Sequence, residues 1–207
     1  RVYDFATAPR SGGTVRFGLV SDLQTAAPCD RTVAALGREP LSFLLYSGDM
    51  TMLSWRADHW FDLGRERSFF GCMQQEEGGA RLMQYLPTFV CPGNHEVDDL
   101  RVGTVRSFST VDAHWRFSIF MQLFRPLYPE RECGLSGRRY YSVDYSDLHI
   151  CSLSVQRWAT WGAYEAPGWR LVDGIAPGDP QIRWLEGDLR ASRARYKWAI
   201  LHWHLYN

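Results

Sequence analysis

Apolar residues in this chain fall into short runs that break at polar side chains able to hold metals or move protons. Thr14 to Val20 is β-branched and aromatic and stops at Ser21-Asp22. Leu41 to Tyr46 is a second such run, ending at Ser47-Gly48-Asp49, and Leu86 to Val90 is a third, ending at Cys91-Pro92-Gly93-Asn94-His95-Glu96. Runs of this length bounded by turn residues read as buried strands. Between them the spacing turns helical. Pro28 to Leu36 predicts a short helix, and Trp55 to Met73 places Trp55, Trp60, Phe61, Leu63, Phe69 and Phe70 at helical intervals, interrupted by Gly64. A further helix follows Gly78-Gly79 and leads to Leu86, and Val111 to Phe124 forms an aromatic stripe closed by Pro126 and Pro129. Arg139 to Tyr145 and Leu148 to Val155 flank Ser146-Asp147 and predict a hairpin. Asp179-Pro180 opens a helix with an N-cap and a first-turn proline, its apolar face made by Ile182, Leu185 and Leu189. Lys197 to Leu201 predicts a last strand, running into His202.

Strands alternating with helices imply parallel crossover units and an α/β fold. In such sheets the carboxyl ends of the strands collect along one rim, where ligands bind. Four predicted strands deliver a donor at that end: Asp22, Asp49, Asn94 with His95, and His202. One Asp after a strand is ordinary turn chemistry. Four ends carrying Asp, Asp, Asn-His and His make an oxygen and nitrogen set suited to Zn, Fe or Mn.

Composition narrows the function classes. The 207 residues suffice for one domain, with residues 1–13 a loose lead-in and 14–207 the body. Formal net charge is zero, so no broad basic face argues for nucleic acid or an anionic membrane, and no apolar run is long enough to span a bilayer. Neither a signal-peptide pattern nor an Asn-X-Ser/Thr sequon is present. The five cysteines are dispersed with no Cys-X-X-Cys pair, and Cys91 and Cys151 sit in strand-like runs as expected buried thiols. His59, His114 and His149 lie outside the strand ends and read as packed or surface histidines. The stretch 156–179, with Trp158, Trp161 and Trp169, reads as a surface loop that walls a site or meets a protein partner.

The blocks FGLVSDLQ, FLLYSGDMTM, FVCPGNHE and KWAILHWHLYN resemble, in order, the first four signature blocks of the purple acid phosphatase branch of the calcineurin-like metallophosphoesterases. YYSVDYSDLHICSL resembles that family's hairpin and DPQIRWLEGDL the helix before its fourth block. The resemblance implies a β-sandwich flanked by helices, with the metal site at the C-terminal ends of the central strands and the final part of the domain, including a GHxH block, beyond this chain. It also implies two metal ions, iron with zinc, manganese or a second iron. Asp22 would bind the first, Asp49 would bridge, and Asn94 and His202 would bind the second. His95 would face the phosphate with Glu96 supporting it, and a metal-held hydroxide would attack a small phosphomonoester. The resemblance suggests a secreted or organellar compartment, which composition leaves open. Two positions depart from the pattern: the family's ligand tyrosine falls on Met52, and the glycine of its first block falls on Gln24. A thioether is a poor partner for a hard ion, so the first metal position is weakened. The competing expectation is a degenerate member kept as a structural or interaction subunit.

Overall fold

A computed structural model describes residues 6–24, 29–54, 56–61, 68–74, 81–97, 119–127, 140–155 and 175–202. Strands β1 (Phe17–Val20), β2 (Phe43–Ser47) and β3 (Thr88–Cys91) form a wholly parallel sheet in the order β1-β2-β3. Helix α1 (Cys29–Leu36) crosses from the first strand to the second. The short helices α2 (Ala57–Trp60), α3 (Phe69–Met73) and α4 (Leu82–Tyr85) lie between the second and third, and α5 (Asn94–Val97) follows β3 directly. A helical stretch over residues 119–124, α6, precedes a 3-10 turn at Arg125–Leu127. A second sheet contains β4 (Tyr141–Tyr145), β5 (Leu148–Ser152) and β6 (Tyr196–Ile200), with α7 (Pro180–Ala191) before the last strand. β4 and β5 are antiparallel, as the hairpin pattern predicts, and β6 joins β5 in parallel.

Alternation along each strand sorts side chains into layers. On β2, Leu44 and Tyr46 face one way, into a cluster with Val33, Trp60, Phe69, Met73, Val90 and Phe120. Phe43 and Leu45 face the other way, into a second cluster with Phe89, Tyr145, Leu148, Ile150 and Ile200. The first core therefore sits under the helices and the second between the two sheets. Phe43 anchors the second, with ring centroids 5.1 Å from Phe17 and 4.7 Å from Tyr145. Its complete burial contributes about 1.5–3 kcal/mol of transfer free energy.

The outer edge of β3 has no strand partner among the described residues, and side chains of the second sheet cover it. The Tyr141 hydroxyl donates to the Val90 carbonyl and accepts from the Val90 amide, both at 2.8 Å. Ser152 Oγ donates to the same carbonyl at 2.9 Å. An edge strand closed in this way neither wastes buried backbone groups nor invites another strand.

Several expectations are corrected in detail. The first four strands begin two or three residues later than their runs, as Thr14, Val15 and Leu41 approach the sheets without joining the ladders, whereas β5 starts at Leu148 as expected and β6 at Tyr196, one residue early. The helical spacing over Trp55 to Met73 resolves into two short helices: α2 stops at Phe61, whose extended backbone (φ −124°, ψ 153°) ends the turn. Asp179 precedes α7 as expected, but its carboxylate accepts from the Ala176 amide at 2.8 Å instead of capping the helix. The deepest residue of α7 is Gln181, not a member of the Ile182, Leu185, Leu189 face. Its amide accepts from Ser154 N at 2.8 Å and donates to Ser154 O at 2.9 Å, which ties the helix to the end of β5. His59 is buried and packed as expected, and Cys91 and Cys151 are buried free thiols. His114 and the tryptophans of the 156–179 stretch lie outside the described residues.

Candidate metal centre

β1 and β2 each end in a tight turn whose acidic residue takes the left-handed conformation, Asp22 at φ 58° and Asp49 at φ 55°. Asp tolerates that region better than most residues. The Asp22 amide donates to the Gly48 carbonyl and the Gln24 amide to the Asp49 carbonyl, each at 3.2 Å, so the two turns travel together beyond the sheet. Beyond β3, Gly93 passes so close to this pair that a Cβ there would overlap the Asp49 backbone. Gly48, at φ 81°, meets Gly93 in the same manner. Two glycines at the crossing let the loops nest, and only then do their side chains converge.

Glu96 locks the crossing. Its carboxylate is fully buried and accepts from the amides of Asp49 at 2.7 Å, Met50 at 2.8 Å and Gly93 at 2.7 Å. The Gly93 bond is the reach-back half of a capping box at the start of α5. Burial and the nearby Asp49 charge push Glu96 up to about 7, against three amide donors that favour its ionised form. The resemblance expects Glu96 to support the His95 ring. Here its carboxylate grips backbone, and the ring is held by the Met52 carbonyl, 2.8 Å from His95 Nδ1. Since a carbonyl only accepts, Nδ1 carries the hydrogen and Nε2 turns toward Asp49 Oδ2 at 3.7 Å.

Asp49 is the hub. Its Oδ1 accepts from the His95 amide at 2.9 Å and lies 3.4 Å from His202 Nε2, while Oδ2 accepts from Gln24 Nε2 at 2.8 Å. His202 Nδ1 donates to the Ser47 carbonyl at 2.7 Å, which aims Nε2 at Asn94 Oδ1, 3.1 Å away. Asp22, Asp49 and His202 each offer one ligand atom within 4.8 Å of one another. The structure thus brings together Asp22, Asp49, Asn94, His95 and His202 from four chain segments, with Glu96 beneath them. Burial alone would raise the Asp49 carboxyl. The hydrogen bond and charge of His202 and the His95 amide overcome it and hold the group below its ordinary range. His202 is desolvated too, yet the adjoining Asp49 carboxylate and the Ser47 carbonyl raise it to about 9.

The donor set fits a cation on its own chemistry. Nε2 of His202 faces two oxygens that only accept, so a positive charge must stand between them. A proton supplies it in the bare site, and a divalent ion would satisfy the same three atoms. Ser47 went unnoticed in the sequence because it acts through its carbonyl and through a hydroxyl that donates to Leu201 O at 2.6 Å. The Ser-Gly-Asp turn after an apolar run was the available signal.

The chain is 24% identical over 208 aligned residues to a protein described as probable purple acid phosphatase 20 of Arabidopsis thaliana, an alignment that covers 99% of this chain. The chain is a distant relative of the purple acid phosphatases. It spans 39% of the length of that curated relative. The fold matches a purple acid phosphatase from yellow lupin (Lupinus luteus) seeds with a TM-score of 0.56 and 14% identity, covering 96% of this chain and 32% of the lupin chain. It also matches PhoD with a TM-score of 0.54 and 16% identity, covering 96% of this chain and 44% of the other. No family model matches the chain. The described part is a mixed α/β arrangement with two three-stranded sheets, and the fold matches both solved structures over part of their chains.

Proposed function

We propose that this chain belongs to a metal-dependent phosphatase that hydrolyses small phosphomonoesters at the rim formed by Asp22, Asp49, Asn94, His95 and His202. The single observation that carries the reading is the convergence of Asp49 Oδ1, Asn94 Oδ1 and His202 Nε2 within hydrogen-bonding or near-contact distance. Purple acid phosphatases are hydrolases with dinuclear metal centres, which supports the same reaction class.

Asp49, Asn94 and His202 would hold one ion, and Asp22 with the second oxygen of Asp49 would hold another. Bound metal supplies Lewis acidity toward a phosphoryl oxygen and lowers the pKa of water. The remaining work falls to the protein. The Met52 carbonyl fixes the His95 tautomer and leaves Nε2 as the atom that takes or delivers a proton at the substrate. The buried Glu96 keeps the turn bearing Asp49 and the start of α5 at a constant separation, so the donors do not rearrange during turnover.

Gln24 favours the second reading, a relic retained for structure or interaction. Its amide already satisfies Asp49 Oδ2, the oxygen a bridging role requires. Aryl phosphate hydrolysis by the purified protein, assayed at acidic and neutral pH with added iron, zinc or manganese, separates the two. The phosphatase reading predicts turnover that a chelator abolishes and that Asp49→Asn reduces by at least about a thousandfold, in the range of lost electrostatic catalysis. A folded Asp49→Asn protein with undiminished activity would move the site elsewhere. Absence of both turnover and metal uptake in the wild type would leave the relic. With Met52 in place of tyrosine, the iron-loaded protein is expected to be colourless.

A further inference from the structure

On the face of the second sheet turned away from the inter-sheet core, a separate group of ligating side chains collects under α7. Alternation along β5 sends Leu148 and Ile150 into that core and His149 and Cys151 to the outer face. Their cross-strand partners on β4 are Asp144 opposite His149 and Ser142 opposite Cys151, both on the same face. From α7, Asp188 reaches down between them. His149 Nε2 lies 2.8 Å from Asp188 Oδ2, and Cys151 Sγ lies 3.6 Å from the same oxygen. Asp188 Oδ1 accepts from Ser142 Oγ at 3.0 Å, and Asp144 Oδ1 stands 2.6 Å from His149 Nδ1.

We propose that His149, Cys151 and Asp188 form a second cation site, separate from the rim, that takes a divalent ion of the zinc class, with Asp144 orienting the imidazole.

Four features carry the proposal. Nitrogen, sulfur and oxygen donors together suit a borderline-soft ion, unlike the oxygen-rich rim. A carboxylate on the far nitrogen of a ligating histidine is the arrangement that fixes tautomer and ring direction at zinc sites, and Asp144 supplies it. Zinc bond lengths place neighbouring ligand atoms of a tetrahedron roughly 3.3–3.7 Å apart. The three donor atoms lie within 4.8 Å of one another, and the sulfur–oxygen edge already has the required length. The nitrogen–oxygen edge is a hydrogen bond and opens by about half an ångström when an ion replaces the proton.

Charge balance also permits the exchange. Flanked by two carboxylates, His149 holds a proton on each nitrogen, and burial with the neighbouring Asp188 pushes the Cys151 thiol up to about 12. One divalent ion entering expels two protons, one from His149 Nε2 and one from Cys151 Sγ. The cluster then carries the charge it had before, so its burial raises no new obstacle. One corner of the tetrahedron remains for water. Asp144 lies at the solvent edge of the cluster, its side chain 69% exposed.

Cobalt(II), added alone to the chelator-treated full chain, tests the site because it follows zinc chemistry and reports thiolate ligation by a charge-transfer band in the near ultraviolet. The wild type is expected to show that band, and Cys151→Ser to lose it. Cys72→Ser and Cys91→Ser should keep it, as should Asp49→Asn at the rim, where no thiolate is involved. Asp144→Ala, with an unchanged far-ultraviolet circular dichroism spectrum, should bind cobalt about 10–100-fold more weakly. A wild type without the band, or a band that survives Cys151→Ser, would overturn the assignment and leave His149 as an imidazolium clamp between two carboxylates. Neither result depends on whether the rim hydrolyses phosphate esters.

Discussion

Glu96 shows how one side chain sets the geometry of others it never touches. Its two oxygens take three buried amide hydrogens from two different loops, so no neutral replacement can satisfy all of them. Glu96→Gln turns an NH2 group against at least one of those amides and is expected to cost about 2–4 kcal/mol, read as a lower denaturant midpoint at unchanged slope. Gly93→Ala should be at least as damaging, because the overlapping atoms belong to the Asp49 backbone and cannot swing aside. A Gly93→Ala protein of wild-type stability would show that the loops do not cross as described. At this scale the sequence was informative wherever a residue acts through its own side-chain chemistry: Asp22, Asp49, Asn94, His95 and His202 stood out because strand ends expose them. It was silent where a residue acts through its backbone, as with Ser47 and the Met52 carbonyl, since every residue type carries a carbonyl. The Asp144, His149, Cys151, Asp188 group was also missed. Asp144, His149 and Cys151 share one hairpin, but Asp188 comes 37 residues after Cys151, and a lone histidine in a strand carries no mark of what α7 places above it.

Among the elements, α7 owes its position to polar as well as apolar contacts. Its other side chains are exposed or half-buried, while Gln181 in the first turn sits fully buried and satisfies both backbone groups of Ser154. Gln181→Ala strands a buried donor and acceptor and should cost about 1–3 kcal/mol by thermal or chemical unfolding. Gln181→Leu, equally apolar and bulkier, should not recover the loss. Full recovery would mean that packing alone seats the helix. Strand and hairpin positions were legible because a period of two and a turn pair such as Ser146-Asp147 are local signals. Boundaries were not, because leaving a ladder depends on the neighbouring strand. The helix over Trp55 to Met73 was misjudged for a related reason: aromatic residues at helical spacing also arise when two short helices press on one core, as Trp60 and Phe69 do at 5.5 Å between ring centroids.

At the level of the molecule, the layered order of helices, first sheet, second sheet and α7 depends on aromatic packing between the sheets. Phe43→Ala removes the ring that touches Phe17, Phe89 and Tyr145 and should cost about 3–5 kcal/mol, a loss large enough to shift thermal unfolding by many degrees. The parallel rim of the first sheet followed from the alternation of elements, whereas the division into two sheets came only through the family resemblance. Alternation alone does not say which strands pair, and β3 could have received a neighbour on its outer edge. Tyr141 and Ser152 occupy that edge with side-chain hydroxyls.

His202 hangs from the end of β6 in the second sheet yet bonds to Ser47, Asp49 and Asn94 at the ends of the first. An ion seated among these groups would rivet the two sheets at their tips, and parting them would require releasing it. Melting temperature then becomes a gauge of occupancy: at free metal a hundredfold above its dissociation constant, mass action adds about 2.7 kcal/mol to the folded state. A preparation stripped by chelating resin would unfold early for want of its fastener, and graded return of metal would retrace the binding curve as a rise in melting temperature, with no substrate needed.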